Sequence, residues 1–134
     1  MSASSTSSSS LRSPLGRARG LGSAKDGLHH WWMQRLTSIA LIPLSIWFVS
    51  ALISLRDADW ETYALWVSSP FHATMMVLFI GVGLHHAQAG MQVVLEDYVS
   101  SHGTRVFSVI AVKLICYALA ALSIVSVVLV ALGV

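Results

Sequence analysis

The sequence predicts an all-α membrane protein, three transmembrane helices behind a disordered N-terminal extension, and three observations carry that reading. Of 134 residues, 55% are hydrophobic and 10% charged, against about 25% charged in a soluble domain. Three apolar stretches, at about residues 32–55, 65–95 and 106–132, each exceed the roughly 20 residues that cross a hydrocarbon core. None alternates as a strand does. In lipid every backbone N–H and C=O must be satisfied within its own segment, which leaves helices. A soluble core of this hydrophobicity is not expected in so short a chain.

The first element is residues 1–27. Serine runs give way to arginine and glycine, with no acid before Asp26. Such a segment cannot bury a core and is expected to be disordered. The same composition fits an organellar transit peptide; a plain bacterial extension is the preferred reading. No short apolar core precedes residue 32, so no secretory signal is expected. Residues 28–134 form the three-helix anchor.

The first span opens with His29, His30, Trp31, Trp32 and Arg35. Paired tryptophans mark an interface, and a basic residue anchors the inner end. Pro43 lies inside this span, where neighbouring helices can re-satisfy a freed carbonyl. Trp60 and Trp66 flank the entry to the second span, and Pro70 is expected to kink its first turns. The third span offers only Lys113, Cys116 and Tyr117 as chemical features, so packing is its expected role. Lys113 is expected to snorkel to the surface, and the lone Cys116 to pack as a small apolar residue.

Charge placement sets the orientation. The net charge is only +2, but Arg12, Arg17, Arg19, Lys25 and Arg35 all precede or open the first span. By the positive-inside rule the N-terminus and residues 96–105 face the cytoplasm, and the first loop and C-terminus face outside. The expected location is a bacterial inner membrane, with the mitochondrial inner membrane as the alternative. No nucleic-acid partner is expected.

The second span carries the chemistry, in Gly83-Leu84-His85-His86-Ala87-Gln88-Ala89-Gly90 and onward to Glu96-Asp97-Tyr98. An ionisable side chain inside a membrane segment is costly and needs a partner, and imidazole is a haem ligand. At 100° per residue, Phe79, Gly90 and Asp97 share a stripe with His86, within about 40° of it. Glycines beside a ligand let a flat macrocycle or another helix come close. His85, about 100° round, shares its stripe with Gln92 and Glu96, which reads as a polar seam against another protein chain. On these grounds His86 is the haem-ligand candidate, and His85 is read as a cross-helix hydrogen-bonding group. His72 is expected at the outer interface. Without a CxxCH motif, covalent haem attachment is excluded.

His86-x3-Gly90-x6-Asp97-Tyr98, together with His29, Arg35 and Thr37-Ser38-Ile39-Ala40 of the first span, resembles the small hydrophobic membrane-anchor subunits of succinate dehydrogenase, respiratory complex II. The resemblance covers roughly residues 28–134. It implies a second three-helix membrane-anchor subunit as partner, one haem b with an axial histidine from each of the two, and docking of a flavoprotein and an iron–sulfur subunit on the inner face. It also implies electron transfer from succinate to ubiquinone in the tricarboxylic acid cycle. Carried onto this chain, His86 ligates haem iron and Tyr98 hydrogen-bonds the quinone. Asp97 supports the quinone site, and Arg35 lies near the haem propionates or the quinone. The doubled histidine departs from the pattern. A subunit of this kind has no catalytic activity on its own. Two other readings stay open: another b-type cytochrome, dihaem through His72 and His86, and a non-redox membrane interaction protein whose histidines only pack.

Overall fold

A computed structural model describes residues 24–134, with α1 (Ala24–Ser54), α2 (Trp60–Ser68), α3 (Pro70–Tyr98) and α4 (His102–Leu132). Among the described residues there is no strand. The extension expected over residues 1–27 lies outside them as far as residue 23; residues 24–27 form the first turn of α1. Three of the helices are long and apolar enough to cross a membrane. The 31-residue helices α1 and α4 reach about 46 Å, against roughly 30 Å of hydrocarbon.

The expected second span is divided. Ser69 is extended, at φ −65° and ψ 125°, directly before Pro70, as the clash of a proline ring with the preceding residue requires. Pro70 then occupies the first helical turn, where its missing N–H costs nothing. Residues 65–68 therefore belong to the short α2, not to α3. Asp59 caps α2 by accepting the Thr62 N–H at 2.9 Å, and Thr62, through its side chain first and its N–H second, holds the exposed Asp59 carboxyl below its ordinary pKa. At the far end of the chain Gly133 is left-handed, φ 75°. Its N–H bonds the Val130 carbonyl at 3.1 Å and the Val134 N–H bonds that of Leu129 at 3.0 Å, which stops α4.

The three long helices form a row, not a closed bundle. Helix α3 packs against α1 on one side and α4 on the other, and among the described residues no Cα of α1 comes within 8 Å of one in α4. Contact with α1 is close because Gly83 and Gly90 offer bare backbone. A Cβ on Gly90 would meet Gln34 Nε2 at 3.4 Å, and one on Gly83 would meet Leu41 at 3.9 Å. Phe48 and Phe79 stack at 4.3 Å along the same seam.

A row of three helices seals little. Leu44, Val67, Ala89 and Val127 are the buried hydrophobic side chains, while Ile39, Ile42, Ile46, Leu114 and Leu122 are exposed. An exterior so apolar belongs in lipid or against another protein. The opposite end of α1 carries an aromatic cluster: His72 stacks on Trp66 at 4.0 Å, Trp47 lies 5.8 Å from Trp66, and His72 Nδ1 meets the Trp66 carbonyl at 3.0 Å. His72, in the first turn of α3, is thus half-buried against these aromatic rings.

Candidate functional site on the central helix

The His86 stripe faces α1. Phe79, Gly83 and Gly90 each meet a residue of that helix, and His86 Nδ1 lies 3.0 Å from Thr37 Oγ1. Thr37 is buried. Its hydroxyl donates to the Met33 carbonyl at 2.8 Å, with that of Gln34 at 3.1 Å. A hydroxyl has one hydrogen, so once that is committed to the backbone the oxygen accepts. With its hydrogen on the backbone, the Thr37 oxygen can accept from an Nδ1–H of His86, the tautomer that leaves Nε2 with the lone pair through which imidazole binds metal. Among the described residues Nε2 has no hydrogen-bond partner, and it is not among the atoms sealed from the surface.

His85 points elsewhere. Together with Gln88 it lines a cavity of about 340 Å³, closed on one side by His29 and His30 of α1 and on the other by Lys113 and Tyr117 of α4. Of the expected polar seam, His85 and Gln92 line this cavity and Glu96 is exposed. The side chains form a ladder: Gln88 donates to Gln92 at 3.4 Å and Gln92 to Glu96 at 2.7 Å.

The remaining predicted residues are not gathered around His86. Asp97 and Tyr98 end α3, both exposed, Tyr98 by 85%. Tyr98 lies about 80° round the helix from Gly90, off the α1 seam. Arg35 lies about 160° from Thr37 on α1, so it turns away from α3; its guanidinium sits 5.4 Å from the Trp31 ring centroid. Within this chain, then, Arg35, Asp97 and Tyr98 stand at the same end of the molecule but on separate faces. Among the described residues no three His, Cys, Asp or Glu side chains cluster to hold a bare metal ion.

Sequence reasoning misses Thr37, Gln34 and the cavity residues Gln88, Lys113 and Tyr117 as members of a site. A signal for Thr37 exists: Gln34, Thr37, Leu41, Leu44 and Phe48 recur at three- and four-residue spacing, one face of a helix. Which face of α3 that stripe meets is not written in the spacing.

Three apolar helices with a large exposed apolar surface define a small integral-membrane protein. The profile of the succinate dehydrogenase/fumarate reductase transmembrane subunits matches residues 9–131. A succinate dehydrogenase hydrophobic membrane anchor subunit of Rickettsia conorii is 36% identical over 107 residues, 79% of this chain and 85% of the relative. That of Paracoccus denitrificans is 33% identical over 101 residues, 72% and 78%. A succinate dehydrogenase membrane anchor subunit of Reclinomonas americana is 29% identical over 94 residues, 68% and 78%. The chain belongs to this family, as a membrane-anchor subunit of succinate dehydrogenase.

Proposed function

We propose that this anchor, paired with a second three-helix membrane-anchor subunit, holds one b-type haem through His86 and contributes Tyr98 and Asp97 to a ubiquinone site. In the same reading it tethers the flavoprotein and iron–sulfur subunits to a bacterial inner membrane, with its N-terminus in the cytoplasm. The observation that carries the reading is the Thr37–His86 contact. A ligand histidine characteristically donates its second ring N–H to a fixed acceptor, which sets its tautomer and orientation. The donor set fits a macrocycle that supplies four nitrogens of its own, since it asks this chain for one imidazole only. When bound, the haem supplies a one-electron redox centre.

The chain's own residues do the rest. Thr37 holds the His86 ring through Nδ1 and leaves Nε2 for the ligand. Tyr98 presents a phenolic O–H that can donate to a quinone carbonyl. Asp97, beside it, accepts hydrogen bonds at the same surface. Arg35, turned away from α3, is placed for a propionate or a developing quinone charge on the partner side.

Two single variants of the assembled complex test the haem assignment. His86→Ala is expected to remove most of the haem, read by a pyridine haemochrome assay, while His85→Ala keeps most of it. Equal loss in both, or loss only in His85→Ala, sinks the assignment.

A further inference from the structure

The cavity between α1, α3 and α4 has no part in holding haem or quinone as proposed above. Its polar lining is one-sided in charge: His29, His30, His85 and Lys113 can carry positive charge, Tyr117 and Gln92 can donate hydrogen bonds, and among the described residues no carboxylate lines it. The nearest acid on the ladder, Glu96, is already accepting from Gln92 at 2.7 Å. His30 Nε2 is buried without a hydrogen-bond partner. Lys113 lies within a membrane-spanning helix, and among the described residues it forms no ion pair. A lysine at that place calls for an anion, and an orphaned buried ring nitrogen calls for a polar partner.

Depth identifies the anion. A 31-residue helix overshoots the hydrocarbon by about 16 Å, or about 8 Å at each end. Counting from the helix ends at 1.5 Å per residue, His29 and Gln92 lie about 8–9 Å in, at the edge of the hydrocarbon core and within a few ångströms of the lipid headgroups. Lys113 lies about 16 Å in, and its flexible stem can carry the ammonium back toward that level. Deeper in the cavity Met33 and Ala89 add apolar wall, against which an acyl chain can rest. Basic pockets between membrane helices are recognised sites for anionic lipid headgroups. We infer that this cavity binds the phosphate of an anionic phospholipid, with Lys113 and His30 as its main contacts. Such binding is independent of where haem or quinone sits.

The test uses the whole complex, purified in detergent and depleted of phospholipid. It is titrated with mixed micelles of phosphatidylglycerol or phosphatidylcholine, and separately with inorganic phosphate. Native mass spectrometry counts bound lipid, and absorbance counts haem. Phosphatidylglycerol is expected to bind at least tenfold more tightly than phosphatidylcholine. Lys113→Gln and His30→Gln should each weaken it at least fivefold, Lys113→Arg should retain it, and haem per complex should stay constant throughout. Equal affinity for the two lipids overturns the inference, as does phosphatidylglycerol binding unchanged by Lys113→Gln. Displacement by millimolar inorganic phosphate would assign the site to the free ion instead. Haem loss with lipid retained would assign the cavity to a carboxylate of the prosthetic group. If Lys113→Gln fails to assemble, the His30→Gln arm decides alone. Loss of haem through His86→Ala with lipid binding intact would leave this inference standing, so the two readings fail separately.

Discussion

Thr37→Val is the sharpest probe of the proposed haem ligation, because it removes one oxygen and keeps the side chain's shape. In the wild-type chain Thr37 Oγ1 lies 3.0 Å from His86 Nδ1 inside the α1–α3 seam, and Thr37 is only 8% exposed; in the proposed ligating tautomer the oxygen accepts from the Nδ1–H. Valine leaves the Nδ1–H facing a methyl group. An unpaired buried donor costs about 1–3 kcal/mol. The ring can recover part of that by rotating or by moving its proton to Nε2, and both responses spoil the ligating geometry. Loss of a partner behind a metal-binding histidine typically weakens metal affinity by about 10–100-fold, that is about 1.4–2.8 kcal/mol at 1.4 kcal/mol per decade. The assay is haem per complex across a detergent-wash series, with the haem midpoint potential measured in the same samples. Thr37→Val should lose haem at an earlier wash and shift the potential. Thr37→Ser, which keeps the oxygen, should resemble wild type. If Thr37→Val retains haem and potential like the wild type, the hydroxyl neither orients His86 nor fixes its tautomer.

Three further outcomes are expected. Tyr98→Phe deletes one hydroxyl on an exposed helix end, and a lost hydrogen bond of about 0.5–1.5 kcal/mol should lower succinate–quinone turnover by about two- to tenfold. Turnover with a soluble artificial acceptor and the haem spectrum should not change; equal loss with both acceptors would refute the quinone role. Ser101→Cys should react with an impermeant maleimide only from the cytoplasmic side, since the start of α1, the end of α3 and the start of α4 share one end; labelling in intact cells would reverse the topology. Asp59, whose pKa is lowered by Thr62, should steady α2 at neutral pH. A depressed carboxylate contributes fully above its unfolded pKa and loses the contribution as pH falls through the folded one. Amide exchange at Thr62 and Tyr63 should therefore quicken in Asp59→Ala at pH 7, and the difference from wild type should vanish in strong acid. A difference that persists there would assign the effect to something other than the charged cap.

Composition and spacing alone give the membrane character and the number of spans; the helices themselves begin and end up to eight residues from the apolar bounds, as α1 does at Ala24. Lipid permits one solution for an apolar stretch of that length. Helical periodicity, a property of the chain alone, also places His86, Gly90 and Phe79 on one stripe. What each stripe meets is decided elsewhere. The glycine beside His86 is compatible with a macrocycle or with a helix; the tertiary structure sets Gln34 of α1 over it. His85 and Gln92 of the polar seam line a cavity together with Lys113 of α4, a neighbour the spacing does not name. Pro70, expected as a kink, breaks the helix outright, because an extended Ser69 lets α2 fold back over the end of α4. Packing of one helix against another depends on residues far apart in sequence, such as Thr37 and His86, 49 positions apart. No local pattern records which of several equivalent apolar faces will pair, and that choice decides which nitrogen of His86 meets Thr37.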